Sequence, residues 1–115
     1  MQSEARLQQL RLCAIIESSI DKTSEYIARY ERLVTSTGLK RAKDVLDKLS
    51  YVNELFNMVY RLLCTEASMS SIDRALNMLR ESYTRVMILD PPLPGAVKQM
   101  YYEILVSVMK LSETV

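Results

Sequence analysis

What this chain lacks is punctuation. Its 115 residues include two glycines, Gly38 and Gly95, and three prolines, gathered at Pro91, Pro92 and Pro94. Short strands need tight turns, and those turns draw on glycine and proline. A chain this poor in both cannot reverse direction often, so long helices are its default. No alternating apolar–polar run of strand length occurs, and no segment recurs at a fixed period. The expected fold is all-α: a single helical domain over residues 1–115, built as a four-helix bundle with short connectors.

The apolar periodicity divides the chain into four helical segments. The first runs from Ser3, a candidate N-cap, to Val34, with Gly38 as the residue that ends it. Leu7, Leu10 and Ala14 start one apolar stripe. Cys13, Ile16, Ile20, Thr23, Ile27, Tyr30 and Val34 make a second. The phase changes near Ser18–Thr23, among residues that favour caps and turns, so a kink or break is expected there and would make five helices. The second segment runs from Leu39 to Cys64 with a core stripe of Ala42, Val45, Leu46, Leu49, Val52, Phe56, Val59 and Leu63. The third runs from Ser71 to Leu89, opened by a Ser70-x-x-Asp73 capping box and stopped by Asp90-Pro91-Pro92. The fourth opens at Leu93-Pro94-Gly95 and runs to Ser112.

Several chemistries are excluded by what is missing. Histidine is absent, which removes the usual general base near neutral pH and the commonest metal ligand. Ser-His-Asp and Cys-His nucleophile pairs are ruled out with it. No glycine-rich phosphate loop exists, because the two glycines stand alone. Glu17, Asp21, Glu25 and Glu31 alternate with Arg11, Lys22, Arg29 and Arg32, as on an ion-paired solvated face. The expectation is therefore no enzyme, no metal, no cofactor and no small-molecule substrate. Cys13 and Cys64 lie far apart in apolar stretches and read as buried small hydrophobes. A bond between them stays open, and a reducing intracellular, cytoplasmic setting is the simpler reading. No apolar run is long enough to span a bilayer, and the polar start has no signal-peptide pattern, so no membrane role is expected.

Apolar residues make up 49% of the chain, and they exceed what one stripe per helix requires. The fourth segment has Val97, Met100, Tyr101, Ile104, Val108 and Leu111 on its core face and carries Tyr102, Leu105 and Met109 outside it. The second has an extra stripe, Tyr51, Leu55, Met58 and Leu62. In the first, Leu10, Leu12 and Ile15 point in different directions. Helices apolar nearly all round are covered ones, so these ten residues are the expected interface. The function expected is a non-catalytic protein–protein interaction or assembly module, a homodimer or the adaptor for a helical partner. The alternative is a nucleic-acid-associated helical protein using Lys40, Arg41, Lys43 and Lys48 on phosphate. Asp44 and Asp47 are interleaved with that patch, and the net charge of +1 provides no general field for steering onto nucleic acid.

Overall fold

The computed structural model describes residues 2–114, with side chains from Glu4 onward. It is all-α: α1 (Gln2–Thr37), α2 (Lys40–Tyr60), α3 (Met69–Met87) and α4 (Gly95–Thr114), with a π-helical turn, Arg61–Glu66, continuing α2. Each helix packs on its neighbours in the cycle α1–α2–α3–α4–α1, while the diagonal backbones stay apart and α2 and α4 meet at the centre through the rings of Phe56 and Tyr101. Each successive pair is antiparallel, so the topology is up-down-up-down. The cap expected of the Ser3 side chain lies outside the described residues.

The first segment does not break. α1 is one helix of 36 residues, about 54 Å at ~1.5 Å per residue, and it spans the 53 Å long axis of the molecule. The turn-favouring residues at the expected break are absorbed locally. Ser19 donates to the Ile15 carbonyl and Thr23 to the Ile20 carbonyl, the back-bonding that lets such hydroxyls sit inside a helix. Asn53 of α2 then donates to the Ile20 carbonyl, and to Thr23 Oγ1 at 2.7 Å. α2 thus locks the place where α1 was expected to bend. The radius of gyration is 15.1 Å, above the ~13 Å of a compact chain near this length. The excess lies at one end of the bundle. Lys48 reaches the α3–α4 connection, so the first two turns of α2 and the last turns of α1 extend past it. Residues 31–41 are exposed apart from half-buried Val34.

Local signals explain the helix ends. Gly38 holds φ +66° and its N–H bonds to the Val34 carbonyl, the left-handed stop that glycine adopts without strain. α3 is capped two residues earlier than the sequence reading placed it. Ser68 accepts from the Ser71 N–H, and Ser71 Oγ accepts from the Ser68 N–H. Serine therefore does the work assigned to Asp73. The π turn ends at Ala67 in the left-handed region, and Gln9 of α1 donates to the Leu63 carbonyl at 2.6 Å.

The cysteines are not separate thiols. Cys13 of α1 and Cys64 of the π turn are disulfide-bonded. Helical spacing could not reveal this, because both stand at ordinary apolar positions. Such bonds persist in oxidising compartments, so the expectation of a reducing setting loses the support it drew from two unpaired cysteines. No helix among the described residues is long and apolar enough to cross a membrane.

The core is the expected one. Ile16, Leu49, Val52, Phe56, Val59, Leu63, Leu79, Val86, Val97, Tyr101, Ile104 and Val108 are fully buried. The wide apolar arcs find much of their cover here, because every helix in the cycle faces two neighbours and needs two stripes. Leu12, Leu55, Leu62 and Leu105 are at most 8% exposed. They are core side chains of the single chain, which corrects their placement on a free interface.

Candidate interaction surface

Of the remaining expected interface residues, Ile15, Tyr51 and Met109 are half-buried. Leu10, Met58 and Tyr102 are 51%, 47% and 54% exposed. These three stand on different helices, α1, α2 and α4, and do not form one patch. What the structure does bring together lies between α2 and α3. Tyr51, Leu55 and Met58, spaced 4 and 3 along α2, share the face turned toward α3. Met78, Glu81 and Ser82 supply the opposite wall, enclosing an open groove of about 300 Å³. Leu62, the fourth member of the α2 stripe, falls in the π turn and is buried away from it.

The groove has an apolar floor and acidic shoulders. Leu55 is buried beneath it, Met78 is half-buried, and Met58 is largely open to solvent. Glu54 and Glu81 stand exposed at its margins. Neither carboxylate belongs to an ion pair among the described residues, where Lys22–Glu25 is the one pair within 4.0 Å. Arg85 stands over Tyr51 with its guanidinium 4.0 Å from the centre of the ring, a cation–π contact that occupies this cation. Met78 stands among the methionines at helical positions and Glu81 off the core face of its helix, but nothing in the sequence sets either opposite the α2 stripe. A groove needs two helices, and their pairing is not legible in either stripe.

Behind Ser82 the structure is closed. The Tyr101 hydroxyl donates to the Leu79 carbonyl and lies 2.7 Å from Ser82 Oγ. Its ring packs between Phe56 and Tyr83, each 6.3 Å away. Burial, with smaller contributions from the nearby Tyr51 and Tyr83, pushes the Tyr101 phenol up to about 12, against the opposing hydrogen bond from Ser82.

The basic patch is smaller than its sequence indicates. Lys40, Arg41 and Lys43 are exposed, but Lys48 is 6% exposed and turned inward. Its ammonium donates to the Leu89 carbonyl at 2.5 Å and the Pro91 carbonyl at 2.9 Å. Burial lowers its pKa. Lys98 and Arg85 lower it further, and Asp90 opposes them. Lys48 therefore anchors the α3–α4 connection, correcting its assignment to a phosphate-facing surface. Asp44 and Asp90 share the cleft beside Lys40 and Arg41, so the field there is mixed.

A second groove lies between α1 and α4, lined by Arg11, Leu12, Ile15, Ser107 and Lys110. Gln8 Oε1 is buried at its edge without a hydrogen-bond partner. No group of three or more Cys, Asp or Glu side chains placed to hold a metal occurs among the described residues. No protein-family model, curated protein or solved structure matches this chain.

Proposed function

We propose that this chain is a non-catalytic protein–protein interaction module that self-associates through an apolar helix face. The observation that carries this reading is the α2–α3 groove. It is an open seam between two helices, with an apolar lining of Tyr51, Leu55, Met58 and Met78. Methionine suits such a surface, because its unbranched side chain reshapes to fit an incoming helix. Single exposed leucines are ordinary and need no partner. A groove with a continuous apolar floor is a different matter. The reading requires no cofactor and no substrate.

Mass measured by light scattering over a range of concentrations tests it. A mass rising from one chain to two is expected in the micromolar range. A strictly monomeric protein at high micromolar concentration, with nothing bound to it in its native extract, would refute the reading. The nucleic-acid reading retains Lys40, Arg41 and Lys43, exposed together at the projecting end. Its mark would be an affinity that falls steeply with salt. Asp44 and Asp47 beside these cations, and the loss of Lys48 from the patch, favour the protein–protein reading.

A further inference from the structure

The α2–α3 groove is apolar with unpaired carboxylates at its margins, so its occupant should be a helix with apolar anchors flanked by cations. α1 of this chain carries such a strip. Leu7 and Leu10 are 48% and 51% exposed, and Ala14 is exposed one turn further on. Their spacing of 3 and 4 puts them in line on one face, roughly opposite the buried Leu12, Ile16 and Ser19 on the same helix. Arg6 and Arg11, both exposed, flank the strip. Arg6 donates to Gln9 Oε1 at 3.2 Å, and neither arginine is ion-paired among the described residues. The strip cannot fill its own groove, because it faces away from the core on α1, the helix diagonal to α3.

We propose that the α2–α3 groove receives the Leu7–Leu10–Ala14 strip of α1 from a second copy of this chain. Leu7 and Leu10 enter over Leu55 and Met58, and Arg6 and Arg11 lie against Glu54 and Glu81. In a twofold dimer each copy gives its strip and accepts its partner's, so both grooves are filled and the assembly closes at two chains. The inference rests on the self-association reading and adds to it which surfaces meet.

Charge exchange tests it, because all four charged residues are exposed and none supports the core. Glu54→Lys with Glu81→Lys places cations against Arg6 and Arg11. Arg6→Glu with Arg11→Glu places carboxylates against Glu54 and Glu81. Each double variant alone should dimerise about tenfold more weakly or worse than wild type. Mixed together, the two should restore a dimer, because every contact in the heterodimer is again between opposite charges. Sedimentation velocity reads the masses, and circular dichroism confirms that each variant is folded. Loss in each variant with recovery in the mixture supports the proposal. A dimer that persists in either double variant overturns it while leaving self-association standing. Loss without recovery also overturns it, because the strip is then not the partner of the groove. A monomeric wild type removes both this inference and the reading beneath it.

Discussion

The two flanks of α3 are built from neighbouring residues of one helix and end differently. Toward α4 the seam is sealed. Tyr101 fills it, Phe56 and Tyr83 pack on its ring, and Leu79 and Ser82 meet its hydroxyl. Toward α2 the seam stays open, although Tyr51, Leu55, Met58 and Met78 are all there to close it. Apolar content does not separate the two flanks. On the closed side one rigid ring spans the gap and its polar end is satisfied, which is how a buried tyrosine becomes tolerable. On the open side Tyr51 is held by Arg85, and flexible methionines line the remainder without bridging it.

Removing the seal should therefore cost far more than disturbing the open side. Tyr101→Ala deletes a fully buried ring and its hydroxyl's hydrogen bonds, although Ser82 keeps the Met78 and Leu79 carbonyls as acceptors. A loss of roughly 3–5 kcal/mol is expected from urea unfolding. A loss under about 1 kcal/mol would mean that Tyr101 is not what closes the flank.

The cross-link provides the next test. Cys13 and Cys64 are 51 residues apart in sequence, and closing a loop of that length in the unfolded chain is worth about 4 kcal/mol. Replacing both by serine should lower stability by up to that amount. Self-association should survive in the variant under conditions where it remains folded, because the groove walls are side chains of α2 and α3, outside the π turn. If dimerisation disappeared from folded protein, the cross-link rather than side-chain size would set the width of the open seam.

The sealed flank also predicts a pH response. The ordinary phenol value is 10.0, and folding raises that of Tyr101 to about 12. Above pH 10 the unfolded chain gives up this proton while the folded chain still holds it. The stability contribution is complete below pH 10 and is lost as pH rises through 12. The total is about 3 kcal/mol for a shift of this size. Unfolding followed across that window should show the loss in wild type, and Tyr101→Phe should abolish this component.

The sequence carried much of the fold and little of the surface, for a physical reason. The stripe from Ala42 to Leu63 and the stripe from Val97 to Leu111 repeat at helical spacing, and burial follows them nearly residue by residue. Periodicity says which face of a helix is inward. It does not say which helix is next, and each misplacement depended on a neighbour. Ser19 and Thr23 read as a break until Asn53 is set against them. Lys48 reads as surface until the Leu89 and Pro91 carbonyls reach it. Leu55 and Leu105 read as interface until a second helix covers them. Cys13 and Cys64 read as two hydrophobes until α1 lies beside the π turn. The Tyr51–Leu55–Met58 stripe was visible, but its opposite wall at Met78 and Glu81 was not.

The finest test enlarges one side chain over the open groove and one in the closed core. Met58 is 47% exposed over the groove, and a phenylalanine there has open space to enter. Met58→Phe should change stability by no more than about 0.5 kcal/mol, the range of ordinary surface substitutions. Ala75 is fully buried on α3, and Ala75→Leu adds volume where no space remains. That substitution should cost about 1–3 kcal/mol. The phenylalanine should also occupy part of the groove that a second copy's α1 would enter, so Met58→Phe should weaken self-association while leaving the monomer fold intact. Thermal unfolding together with light scattering separates the two effects. If Met58→Phe destabilised the chain as much as Ala75→Leu, the α2–α3 seam would be as tightly packed as the buried core, and the contrast between the two flanks would fail.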